Sequence, residues 1–272
     1  MVVFFLIPLL VFAVYSVLSR SLAGYDVELP FALEGYKDAA TSNVNRTLAK
    51  NSAWVGFGTA TATVALALPI AYWLRRSAGR WRLPVLFLIT ATLFASYLVR
   101  IYAWRSVLGR NGLINKSLMQ LGLIDEPLGF LLYNLFAVTV ALTHIFLPYA
   151  VLVLFAAMGP LGSGIIEAAQ DLGAKAPVLW RRVVLPLAAA PAASVFLFVF
   201  ILSSADYVTP QFLGGTSGST LGVQIQTNFI TLGNWPLAAA TSFLMLAAFL
   251  ACYVLTTMVL RLAGLRDIRF VN

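Results

Sequence analysis

The chain has 272 residues, 61% of them hydrophobic and only 10% charged, with a net charge of +8 and a mean hydropathy of +0.90. No water-soluble domain of this length needs so much apolar surface. A single cysteine, Cys252, and a single histidine, His144, exclude a disulfide framework and the usual paired-ligand zinc sites.

Six apolar runs are predicted to be transmembrane helices: 2–19, 52–74, 84–105, 131–157, 187–207 and 236–262. Each is near the ~20 residues that a helix needs to cross a hydrocarbon core of ~30 Å. The first starts at Val2 with no basic segment before it, and reads as a retained anchor rather than a signal peptide. The third carries Tyr97, Tyr102 and Trp104 near its outer end, where an interfacial aromatic belt is the competing reading. The fourth places His144 near mid-membrane, with Asn134 or a backbone carbonyl as its expected partner, and Pro148 four residues on as an expected kink. The fifth ends at Asp206-Tyr207. Asp206 is the one acid in or at the edge of a predicted span, and acids at that depth are costly and usually functional. An ion pair to Arg100 or Arg105 is the alternative for it. Domain boundaries are set at 1–44 (first span and external loop), 45–262 (membrane domain) and 263–272 (tail).

Charge fixes the orientation. Segment 75–83, the loop 161–186 and the C-terminal tail hold ten of the 18 Lys and Arg residues, which places all three in the cytoplasm, with both termini. No clustered basic face interleaved with aromatics is present, so nucleic-acid binding is not expected.

The loop 161–186 is a polar, amphipathic insert between two hydrophobic segments. Ser163 suits a helix N-cap, and Ile165, Ile166, Ala169 and Leu172 fall on one helical face. Gly173 stands where a left-handed turn ends a helix, and Pro177 suits the first turn of a second short helix running to Leu185. Lys175, just before it, is a poor cap. The expected product is a knob of two short helices joined at a glycine. An amphipathic helix lying on the membrane surface would show a similar pattern.

Within that loop stand Glu167-Ala168-Ala169, Gly173, Val183 and Leu185-Pro186. This spacing resembles the EAA loop in the permease subunits of ABC importers. The resemblance implies a type I importer fold: an all-helical integral membrane protein of six transmembrane helices, five of them core, with cytoplasmic coupling helices. It implies an ATPase-coupling role for Glu167, Ala168, Ala169, Asp171, Gly173, Leu185 and Pro186. It also implies a second permease subunit, a cytoplasmic ATPase dimer that holds ATP and Mg, an external substrate-binding protein, and surrounding membrane lipid of the bacterial inner membrane. The chain itself has no G-x-x-x-x-G-K-[ST] loop, so no cofactor and no catalytic or metal site is expected in it. A membrane-embedded enzyme and a channel are the weaker competitors.

Four further stretches, RIYAWRSVLGRNGLIN (100–115), LGLIDEPL (121–128), DYVTPQFLGG (206–215) and NWPLAA (234–239), resemble the spermidine/putrescine group of these permeases. The substrate that this implies is a polyamine, with Asp206, Tyr207, Tyr97, Tyr102 and Trp104 as pathway residues. A flexible diamine suits carboxylates at its ends and aromatic faces along its stem. Similar permeases carry an aminophosphonate, an opine or other amine, or ferric ion.

Overall fold

Residues 2–20, 27–31, 33–159 and 163–262 are described by the computed structural model. The tail 263–272, with Arg266 and Arg269, and the side chain of Ser163 lie outside the described residues. In chain order the helices are α1 (Val2–Ser16), α2 (Glu34–Thr41), α3 (Asn43–Arg76), α4 (Arg82–Leu93), α5 (Tyr97–Leu108), α6 (Leu113–Gln120) and α7 (Leu135–Ala157). They continue as α8 (Ser163–Asp171), α9 (Ala176–Leu179), α10 (Leu185–Ala205), α11 (Leu221–Gln226) and α12 (Trp235–Leu262).

Four helical stretches are long and apolar enough to cross a membrane: 43–76, 135–157, 176–205 and 235–262. They coincide with the second, fourth, fifth and sixth apolar runs. The first and third runs depart from expectation. The helix α1 has 15 residues, about 22 Å at 1.5 Å per residue, and so falls short of the core thickness. It ends where the Ser16 hydroxyl turns back to the Ala13 carbonyl (2.7 Å). Beyond it, strands β1 (Leu18–Arg20) and β2 (Val27–Phe31) pair antiparallel, with a register irregularity between Leu18 and Ser19. This short ribbon is the one strand pair among the described residues of an otherwise helical fold.

The third run is broken at 94–96, and the helical stretches on either side are bent by 97°. The cause is local. Thr90 and Thr92 hydroxyls donate to the Leu86 and Ile89 carbonyls, a competition that bends helices and loosens their ends. The Phe94 and Ala95 amides close on Ala91 and Thr92 in tight turns, and Ser96 then opens α5 by accepting from Arg100 N–H (3.2 Å). With the bent pair counted once, the described residues hold up to five spans.

The chain divides into two compact units. One comprises 56–107, 139–203 and the residues after 252. Its core is built from small side chains, with Ala60, Ala67 and Ala71 of α3 against Ala150, Val151 and Leu154 of α7 and Ala188 of α10. Small residues let helix backbones approach closely where lipid offers no hydrophobic drive to associate. Pro148 and Pro191 sit inside α7 and α10, which both run on through them.

The other unit comprises residues up to 55, 108–138 and 204–252. In it, residues 206–231 form short helical turns. They are held by Asn51 Nδ2 to the Ser219 carbonyl (2.9 Å), Leu221 N–H to Ser52 Oγ (3.0 Å) and Thr220 Oγ1 to the Asp206 carbonyl (3.3 Å). Aromatic contacts between Phe12 and Phe229 and between Tyr15 and Trp235 link α1 to this segment and to α12.

Candidate functional site

The loop 163–186 is built as follows. The helix α8 ends at Gly173, whose φ is +83°. The Gly173 amide bonds the Gln170 carbonyl (2.8 Å) and the Ala174 amide bonds the Ala169 carbonyl (3.0 Å). That pair of bonds is a Schellman stop, which requires a left-handed residue at this position. The open side of Gly173 has no atom within 4 Å of where a Cβ would stand.

The expected apolar face divides in two. Ile166 is buried, and with half-buried Ala169 it packs on Leu179, Val184, Trp180 and Tyr72. Ile165 is half exposed and Leu172 is 90% exposed. Ile165, Ala168 and Leu172 are spaced i, i+3 and i+7, so they form one outward strip, flanked by exposed Glu167 and Asp171. Burial of Ile166, Leu179 and Val184 at about 1.5–3 kcal/mol each holds the knob as a body. The knob's stem is anchored by Arg76, whose Nη2 donates to Gln170 Oε1 (2.7 Å).

The second short helix differs from expectation. It starts at Ala176 with no side-chain cap from Lys175, as its sequence implies, but it does not end at Leu185. Residues 176–205 form one continuous helical stretch. A wide turn over Trp180–Val184, in which Leu185 N–H reaches Trp180 O, precedes Pro186. Pro186 can donate no backbone bond, and the wider turn takes up the missing one without breaking the helix. Leu185 and Pro186 are exposed at this junction.

Among the residues assigned to the solute pathway, Asp206 has a local task. Its two carboxylate oxygens accept from Val208 N–H (3.2 Å) and Thr209 N–H (3.0 Å), the pattern of a helix N-cap. Half-exposed Tyr207 lines an apolar cavity of about 670 Å³ with Phe12, Phe229, Trp235 and Gln226. Tyr97, Tyr102 and Trp104 share α5 in the other unit. At 100° per residue Tyr97 and Trp104 lie on one side of the helix, while Tyr102 is turned away by about 140°, so the three do not form one cluster. Trp104 donates its indole N–H to His144 Nδ1 (3.2 Å) and packs edge-on to that ring. The His144 partner is thus Trp104. Asn134 instead accepts from Ala137 N–H (3.0 Å) at the start of α7.

No protein-family model matches the chain. It is 28% identical to the Escherichia coli spermidine/putrescine transport system permease protein PotB, across 89% of this chain and 87% of the relative. It is 32% identical to the Escherichia coli inner membrane ABC transporter permease protein YdcU, across 70% of this chain and 65% of that one. In sequence the chain resembles spermidine/putrescine and other ABC transporter permease proteins over most of its length. Its fold matches a chain in the crystal structure of a bacterial alginate ABC transporter in complex with an alginate pentasaccharide-bound periplasmic protein, with a TM-score of 0.65 at 16% identity over 85% of this chain and 83% of that one. The four to five membrane-length helices among the described residues fit a multi-pass membrane protein, and the relatives are, by name, permease proteins of transport systems.

Proposed function

We propose that this permease forms, with a second permease subunit, the path by which a polyamine, putrescine or spermidine, enters the cell. An external binding protein delivers the solute, and a cytoplasmic ATPase dimer holding ATP and Mg drives the cycle. The observation that carries the reading is the outward strip Ile165–Ala168–Leu172 on a rigid knob ended by a left-handed glycine. An apolar strip rimmed by Glu167 and Asp171 fits a partner's groove better than water. ATP closes the ATPase dimer, the knob follows, and the permease shifts between inward and outward states that each ligand favours differently. In this reading the six spans are the four long helices, the bent α4–α5 pair and α1, whose 15 residues reach across where the bilayer is locally thinned.

Uptake of radiolabelled putrescine and spermidine by the reconstituted importer, with ATP hydrolysis on the same preparation, tests the cargo. No uptake of either, with uptake of an aminophosphonate, an opine or ferric ion, would replace the polyamine and keep the importer. Asp206 divides into two expectations. Asn keeps a capping oxygen, so Asp206→Asn is expected to leave thermal stability near wild type, while Asp206→Ala costs about 1 kcal/mol. If the charge also meets the cargo, Asp206→Asn cuts uptake about tenfold or more at unchanged basal hydrolysis. Equal uptake by Asp206→Asn and wild type would confine Asp206 to capping.

Orientation is tested with single cysteines in place of Ser117, Ser217 and Ala174. In cells with a permeabilised outer envelope, an impermeant thiol reagent is expected to label the first two and spare the third. The reverse pattern would put the knob outside and remove the docking reading.

A further inference from the structure

The end of α3 forms a polar cavity with α8. A cavity of about 320 Å³ is lined by Tyr72, Arg75, Arg76 and Ser77, together with Met158 and with Ile166 and Glu167 of α8. Arg75 Nη2 donates to the Gly159 carbonyl (2.9 Å), and Arg76 to the Gln170 amide. The Arg75 and Arg82 guanidinium groups both lie over the Phe155 ring, 5.5 and 4.8 Å from its centre. All these partners are neutral. Glu167 is the one acid in the cavity wall, so it opposes two positive charges with one negative.

Each guanidinium has five N–H groups in a planar fork that matches a phosphate, and the single neutral hydrogen-bond partners that Arg75 and Arg76 find among the described residues use few of them. The volume equals about ten waters, enough for a phosphate and a short polyol. The adjoining segment has exposed Trp81, Leu83 and Phe87 beside Arg80 and Arg82. Aromatics next to arginines mark headgroup depth, where basic pockets between helices bind anionic headgroups.

We propose that this cavity binds a phosphate-bearing group, from an anionic phospholipid headgroup or from free phosphate, and that its occupancy steadies α8 against the end of α3. The binding stands apart from the importer reading. Its effect on ATP hydrolysis rests on that reading, and the two are measured separately.

The full chain is placed in nanodiscs of phosphatidylcholine with or without phosphatidylglycerol, and retained lipid is counted by mass spectrometry after extraction. Wild type is expected to retain phosphatidylglycerol, the Arg75→Gln/Arg76→Gln pair to lose about tenfold in retention, and the Arg110→Gln/Lys116→Gln pair, an equal charge change elsewhere, to retain it. Ser77→Asp adds a carboxylate to the wall with both arginines kept, and is expected to lower retention as well. Thermal stabilisation of wild type by inorganic phosphate in pure phosphatidylcholine, absent from the paired variant, would identify free phosphate as the source. Stabilisation by phosphatidylglycerol alone would identify the lipid. Equal retention by wild type and by both cavity variants, with no response to phosphate, overturns the site. Loss of binding with unchanged hydrolysis in the assembled importer keeps the site and removes its hold on coupling.

Discussion

Gly173→Val is expected to leave a folded permease that no longer couples to ATP hydrolysis. At φ +83° a residue with a Cβ pays about 1–2 kcal/mol, and a β-branched one stands at the upper end. Nothing lies within 4 Å of the added Cβ, so the cost is one of backbone conformation and not of collision. The chain can avoid it by opening the Schellman bonds at Gln170 and Ala169, which swings Leu172 and the whole outward strip off its docking angle. A penalty of 1.4 kcal/mol lowers the correctly set population tenfold. The expected readings are near-normal yield and thermal stability, ATPase stimulation and uptake down about tenfold, and partial recovery in Gly173→Asn. Asparagine occupies the same open space but tolerates the left-handed region. Equal behaviour of the Val and Asn variants would show that φ is not what matters there. Wild-type uptake by Gly173→Val would remove the knob from coupling altogether.

That glycine was legible because its signal is local. A helix-period apolar pattern, then glycine, then proline four residues later spells a left-handed stop whatever surrounds it. The spans at 52–74, 131–157, 187–207 and 236–262 were legible for a similar reason. Length and hydropathy decide them, and the bilayer leaves no alternative to a helix. The run 84–105 shows where this fails. Hydropathy averages over Thr90 and Thr92, but their hydroxyls bond to backbone and help end one helix, and the next begins where the Ser96 carbonyl accepts from Arg100 N–H. The run 2–19 fails at Ser16 by the same chemistry. The continuous helix through Pro186 was missed because proline reads as a boundary, while a wide turn just before it carries the chain across.

The site was less legible than the fold. Helical period placed Ile165, Ile166, Ala169 and Leu172 on one face, but the packing of α8 on Leu179, Val184 and Tyr72 splits that face, with Ile166 inside and Ile165 and Leu172 outside. Asp206 drew notice as an acid at membrane depth, and the same carboxylate turns out to cap the backbone at Val208 and Thr209. Asn51 and Ser52 had no such signal. Their partners lie some 168 and 169 residues away, and no local pattern encodes a contact of that range.

Gly222→Ala is expected to be strongly destabilising for a single-methyl change. A Cβ there would stand 2.7 Å from the Ala205 carbonyl oxygen and 2.9 Å from that of Asp206. Both obstacles are backbone, so no rotamer can relieve them. Residues 219–221 are also pinned, by Asn51 to Ser219 O, by Thr220 to Asp206 O and by Leu221 N–H to Ser52. Relief requires breaking one or more of these bonds or shifting the end of α10. Overpacking of a rigid site costs about 1–3 kcal/mol, and a lost buried bond adds about 1 kcal/mol. The sum, about 3 kcal/mol, is a large share of the 5–15 kcal/mol that holds an ordinary domain together. Yield in the membrane and thermal midpoint should both fall sharply. Gly129→Ala, where a Cβ meets nothing within 4 Å, should leave both unchanged. Ser52→Ala in the Gly222→Ala background discriminates further. If relief already costs the Leu221–Ser52 bond, the second change adds little, because coupled sites are not additive. Full additivity would mean that the strain is released elsewhere, and a wild-type midpoint for Gly222→Ala alone would mean that the close approach of 222 to 205–206 does not hold in the membrane.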